Sequence, residues 1–292
     1  MDALTFRRPY KHFWSGEPSR SPVVDLKIKW ADHHRQLLKA AIEEFRLRKP
    51  YLVHEDRRSW EDTDYRVLNA VPEAAPDEIG LMLGDYIHNL RAALDYLVGA
   101  MRPTGPSRNS QFPILLERKG PHSFKNRACL MLRDVPDEAV KLIHWMQPYH
   151  RPKWDGWFWS ALAALEVLWN VSKHRTLFIA TAVTRPDYVG RERSDEDAKS
   201  IGFRFTAPNH SSEIWLPISE PEEHFEPHFS VHVALAEPRG FARDWPWWIN
   251  EWEVDGLVDY LYRAVAEQVV PRFNDFIQPV SESVSHLERP SD

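Results

Sequence analysis

From Trp157 to Val171 the chain reads WFWSALAALEVLWNV, and only Ser160, Glu166 and Asn170 interrupt an apolar run. A helix that is apolar on every side belongs in the interior of a fold, so the rest of the chain has to build elements around it. Glu166, Asn170 and His174 lie at i, i+4 and i+8 and so share one stripe of that helix, with Lys173 and Arg175 beside it. A carboxylate and an amide carried into such a helix are costly unless something satisfies them. Two readings stay open for the stripe. It is a hydrogen-bond network that locks two helices, as most buried polar groups are, or it is one wall of a site.

A second polar stripe is available to face it. Asp77 to about Met101 reads as a long helix, with Pro103 and Gly105 after it. Within it lies GDYIHNLRAALDYL, residues 84–97. At about 100° per residue, Leu83, Ile87, Leu90, Leu94 and Leu97 gather on one side. Asp85, His88 and Asp95 gather on the other, with Arg91 at the border. An imidazole that titrates near neutrality, two carboxylates and a guanidinium on one flank form a set suited to acid–base work on an anion. The same set is also what a solvated helix face looks like, since i,i+4 charge pairs are common there. If the stripes meet, Asp85, His88, Arg91, Asp95, Glu166, Asn170, Lys173 and His174 surround one cleft.

The remaining pattern frames these helices. Residues 1–24 form an arm without periodicity, and Asp25 to about Arg48 reads as a helix closed by Pro50. Tyr51–Val53 and Tyr65–Val71 read as short strands around the charged loop EDRRSWEDTD. Asp137–Met146 is a shorter helix. Strands are expected over Thr176–Thr184, Ile201–Thr206, Ile214–Ile218 and Phe229–Leu235, and a last helix over Asn250–Phe276. Helices, then strands, then a helix, without βαβ alternation, make an α+β fold. The expected organisation is an arm at 1–24, a helical domain with a short β-hairpin at 25–176, a β-rich insert at 177–240, a C-terminal helix at 241–278 packing on the helical domain, and a tail at 279–292.

Composition narrows function by exclusion. Hydrophobic residues make up 43% of the 292, enough for a real core. A net charge of −6 lacks the wholesale basic footprint of a nucleic-acid-binding domain. The single cysteine, Cys129, allows no internal disulfide and no cysteine-based zinc site, and reads as a small apolar filler in a reducing, cytoplasmic setting. No run reaches about 18 apolar residues, so no membrane partner is expected. Phosphate-loop, dinucleotide and nucleophile-elbow motifs are absent from the sequence, so no nucleotide cofactor is expected. Asp85 and His88 have the i,i+3 spacing of bundle metal ligands, but a di-metal site needs more carboxylates than the chain places nearby. No metal and no cofactor are expected.

The segments GDYIHNLRAALDYL, FPI at Phe112–Ile114, QPY at Gln147–Tyr149 and NVSKHR at 170–175 resemble a widespread family of uncharacterised bacterial and phage proteins, over roughly residues 25–277. In that family the first motif reads like LRSALDHL. Its Arg and His spacing resembles the Arg-x4-6-His motif of the HEPN superfamily. That resemblance implies a helical bundle carrying the β insert, often dimeric, and metal-independent cleavage of RNA, with phage-defence or toxin biology. Arg91 matches the motif, and Tyr96 stands where the histidine is expected. On this reading Arg91 holds a phosphate, His88 or His174 transfers protons, and Asp95, Glu166 and Asn170 orient them. Asp85 shares the flank, while Lys173 and Arg175 add positive charge. RNA and a second copy of the chain are the implied partners. The alternative is a non-catalytic interaction module whose two stripes form a structural clasp and whose β insert binds a protein.

Overall fold

The structure is a computed structural model, which describes residues 20–60, 62–117, 124–150, 157–173, 180–187, 202–206, 211–218, 228–235 and 252–277. Among these described residues six α-helices and six strands follow one another as α1 (Pro22–Leu47), β1 (Tyr51–Trp60), β2 (Thr63–Pro72), α2 (Asp77–Ala100), α3 (Phe124–Met131), α4 (Asp137–Trp145), α5 (Trp157–Lys173), β3 (Ala180–Asp187), β4 (Gly202–Thr206), β5 (Ser211–Pro217), β6 (His228–Leu235) and α6 (Val254–Tyr262). All described strand pairs are antiparallel, and the fold is α+β as expected. Among the described residues no helix is long and apolar enough to cross a membrane.

The chain divides into two compact units, with boundaries inside α1, α2, α5 and α6. The first comprises residues 1–33, 85–170 and 259–292. Its described part is helical. Tyr86, Ile87, Leu90, Leu94 and Leu97 of α2 are fully buried, and so are Leu162, Leu165 and Leu168 of α5. Tyr86 apart, these are residues of the apolar stripe read from α2 and of the all-round burial read from α5. After α6 the helix continues π-wound over Arg263–Val269 and 3-10-wound over Val270–Phe276. An unbroken helix to Phe276 is therefore corrected. Pro271 has no N–H for an i−4 bond and its ring crowds that carbonyl, so the winding changes as the chain approaches it.

The second unit comprises residues 34–84 and 171–258. Lys49, at φ 48°, turns the chain out of α1 ahead of Pro50. The hairpin β1–β2 then pairs from Tyr51↔Pro72 to Trp60↔Thr63, turning at Asp62 with φ 63°. Most of the stretch expected as a charged loop is thus strand. Glu55, Asp56 and Arg57 sit on exposed positions of β1, and exposure on both faces removes the alternation that marks a half-buried strand. β5 pairs with β2 and β4 pairs with β5, which gives the sheet order β1-β2-β5-β4. β3 and β6 form a separate two-stranded sheet. Leu68, Ala70, Ile214, Leu216 and Phe229 make one buried cluster, with Tyr51 against it. Gly84 of α2 faces Ser172 of α5 so closely that an added Cβ would stand 3.3 Å from the hydroxyl oxygen.

Candidate functional site

Arg91 lies at the centre of the candidate site, and it is inside the protein. The residue is 4% exposed, against the border position that the helical wheel gave it. Its Nη1 donates to Asp95 Oδ1 at 2.5 Å, one turn further along α2. Its Nη2 donates to the carbonyl of Phe112 at 2.8 Å. Its Nε stands 3.5 Å from Glu166 Oε2 on α5, and its guanidinium lies over the ring of Trp169 at 4.9 Å. Two carboxylates, a carbonyl and an indole face therefore enclose one cation, the environment that a buried guanidinium requires.

The same ion pair holds the segment after α2. Asp95 Oδ1 accepts the Phe112 N–H at 2.8 Å, while Arg91 donates to the Phe112 carbonyl. Gln147, fully buried, continues the grip. Its Nε2 donates to Pro113 O at 2.9 Å and to Ile143 O at 2.8 Å, and its Oε1 accepts the Leu115 N–H at 2.9 Å. The FPI and QPY segments are thus two sides of one set of hydrogen bonds. Phe112 is buried and meets Phe273 edge-on at 6.2 Å. Arg102 does similar work one loop earlier, donating to Ser107, Ser110, Thr104 and Asp134 from a buried position.

Burial pushes the Asp95 carboxyl above the usual carboxylate range. The charge of Arg91, the Phe112 N–H, the Arg91 hydrogen bond and the charge of His88 all pull the other way and do not fully offset it.

The two expected stripes meet in part. Arg91, Asp95 and Glu166 come together, and Asn170 joins them by donating to Glu166 Oε1 at 3.1 Å, the i,i+4 contact read from the stripe. Asp85 and His88 stay on the exposed flank of α2, and the Asp85 carbonyl accepts from Asn89. Tyr96, in the position of the expected histidine, is exposed with Lys27 Nζ over its ring at 5.8 Å. Lys173 is exposed at the end of α5. His174 and Arg175 lie outside the described residues. Cys129 is exposed rather than a core filler, because α3 buries none of its residues. Among the described residues no group of three His, Cys, Asp or Glu side chains is placed to hold a metal.

Trp169, Gln147 and the Phe112 backbone are the partners that the helical wheels did not assign. Trp169 sits three residues after Glu166, so it borders the same stripe. Gln147 is a lone polar residue between Met146 and Pro148, a position that signals a satisfied buried amide. Comparison of the chain with protein-family models, curated proteins and solved structures returns no match.

Proposed function

We propose that this chain is a non-catalytic interaction protein, and that the polar helix motifs are the clasp that holds its helical part together. The observation that carries this reading is the state of Arg91. Its side chain is 5% exposed, and both terminal nitrogens already donate, to Asp95 and to Phe112 O. A phosphate would have to displace a carboxylate and a backbone carbonyl inside the protein, depriving both of the guanidinium they share.

A second reading has one observation in its favour. His88 is exposed on α2 and close enough to Asp95 for its charge to act on that carboxyl. An imidazole so placed suits proton transfer in a metal-independent ribonuclease, or an enzyme acting on another phosphate-bearing substrate. The HEPN-like bundle and the phage-defence setting go with this reading and rest on sequence resemblance.

The test incubates purified protein with a mixed single-stranded and structured RNA pool in EDTA, beside His88→Ala, Arg91→Ala and Asn170→Ala. The clasp predicts intact RNA throughout, with Arg91→Ala and Asn170→Ala less stable than the parent and His88→Ala as stable. Cleavage by the parent that disappears in His88→Ala would move the assignment to the ribonuclease.

A further inference from the structure

We propose that β1 is the seam of a homodimer, in which two copies of the chain pair their β1 strands antiparallel about a two-fold axis at Asp56. This rests on the interaction-protein reading and names its partner as a second copy of the chain.

β1 is the edge of the four-stranded sheet. Two hydrogen bonds fix which of its backbone groups face outward. Glu73 donates to Pro50 O, next to the Tyr51↔Pro72 pair, and Ile218 donates to Asp64 O on the far side of β2. Hydrogen-bonded pairs alternate along an antiparallel ladder. Leu52, His54, Asp56, Arg58 and Trp60 therefore bond to β2, and Val53, Glu55, Arg57 and Ser59 turn their N–H and C=O groups away from it. Among the described residues those groups face no other strand. The Arg57 N–H alone has a cover, its neighbour's Asp56 Oδ1 at 2.9 Å. A long edge of this kind is a template for a further strand.

The side chains select the strand. Glu55 and Asp56 are followed by Arg57 and Arg58, an acidic half and then a basic half. An antiparallel second copy sets each acidic half against the partner's basic half, whereas a parallel copy sets like against like. A two-fold axis perpendicular to the sheet keeps every side chain on its own face, so the axis must pass through a residue rather than between two. With the axis at Asp56, Glu55 faces the partner's Arg57 twice. Leu52 faces the partner's Trp60 twice, and these two are 63% and 56% exposed in the single chain. Asp56 meets its own copy at the axis, a like-charged contact eased by its own Arg58 at 3.1 Å, which also binds Glu213 at 3.1 Å. With the axis at Arg57 the charges come out alike, Asp56 facing the partner's Arg58 twice and arginine facing arginine, but Leu52 loses its apolar neighbour, and that decides for Asp56.

The full chain is measured by sedimentation equilibrium as parent, Glu55→Arg, Arg57→Glu and the double variant. Both positions are exposed, but Glu55 Oε1 lies 3.9 Å from Arg66 Nε on β2, so the hairpin in each variant is checked by circular dichroism and thermal melting before the dimer is read. The parent is expected to dimerise, more weakly at high salt. Each single variant should weaken the dimer about tenfold, because two opposed pairs become like-charged. The double variant restores opposite charges across the axis and should recover the parent's affinity within about threefold. Glu55→Pro is the second probe. Its N–H points away from β2, so proline is tolerated in the hairpin yet removes a donor from the seam. A parent that stays monomeric at about 100 µM overturns the seam, and so does a dimer that Glu55→Pro leaves unchanged. Either result leaves the clasp reading to the RNA assay, which does not depend on dimerisation.

Discussion

Arg91 and Asp95, one turn apart on α2, take hold of the two backbone groups of the same residue: Arg91 donates to Phe112 O and Asp95 accepts Phe112 N–H, each at 2.8 Å. A side-chain pair thereby acts as a strand would, satisfying both groups of a residue that has no strand beside it. Phe112 is fully buried in coil, where unpaired backbone groups are most costly. The ion pair is thus tied to chain path as well as to charge.

Removing the cation should be among the most damaging single changes in the helical unit. Arg91→Met keeps volume but leaves two largely buried carboxylates, Asp95 and Glu166, without the cation they share, and strips Phe112 O of its donor. Breaking such a cluster costs about 3–5 kcal/mol. Arg91→Lys should recover little of this, because an ammonium cannot reach Asp95 and Phe112 O in the guanidinium's fork. Urea unfolding of the three proteins reads the difference. A loss below about 1 kcal/mol in Arg91→Met would mean that the cluster is not structural.

Gln147 holds the other end of the same segment. Gln147→Leu removes one acceptor and two donors in a fully buried position, leaving Leu115 N–H and Pro113 O without partners. The expected loss is about 1–3 kcal/mol for the unsatisfied groups. Hydrogen exchange gives the sharper readout: the Leu115 amide should lose protection well before the amides of α2. Unchanged exchange at Leu115 would mean that water or a shifted side chain replaces the glutamine.

Much of this could be read before the structure, and the gaps have physical causes. The Glu166–Asn170 contact was legible because helix geometry fixes i,i+4 neighbours whatever packs around them. The burial of Arg91 was not, because a wheel gives the direction of a side chain but not what covers it. The cover is the Phe112 segment, seventeen to twenty-one residues further on and without periodicity of its own. The strands Gly202–Thr206 and His228–Leu235 were expected nearly where they occur, since alternation is local. The pairing of β2 with β5, Leu68 opposite Ile214, depends on contacts far apart in the chain, which no local pattern encodes. β1 was missed beyond Val53 because an edge strand with both faces wet carries charges that read as loop.

Asp95 should make the folded state less stable as pH rises. Burial lifts its carboxyl above the ordinary 3.8, so the folded chain binds the proton more tightly than the unfolded chain does. Its contribution is therefore full below 3.8 and is lost as pH climbs through the raised folded value. In Asp95→Asn that slope is absent. The stability of the parent relative to Asp95→Asn should fall as pH rises from 3.8 through the raised folded value, followed by urea midpoints at each pH. Carboxyl chemical shifts give the titration directly, with a midpoint above 3.8 expected. A midpoint below 3.8 would mean that the Arg91 charge outweighs burial.

In the second unit Arg46, near the end of α1, binds Asp255 in the first turn of α6 at 2.6 Å and the Val231 carbonyl of β6 at 3.0 Å. Both charges also suit the helix ends they occupy, a base at a C-terminus and an acid at an N-terminus. The two partners should not be equivalent to mutation. Arg46→Met strips Asp255 and Val231 O together, whereas Asp255→Asn keeps an oxygen to accept from Arg46. A double-mutant cycle should give a coupling of about 1 kcal/mol, with Arg46→Met the costlier single change. The side chains are about a quarter exposed, so part of the coupling should fade with added salt. The excess cost of Arg46→Met over Asp255→Asn at high salt measures the bond to Val231, which carries no formal charge and joins α1 to the β3–β6 sheet. If the two single variants cost the same, that carbonyl bond is not holding the helix to the strand.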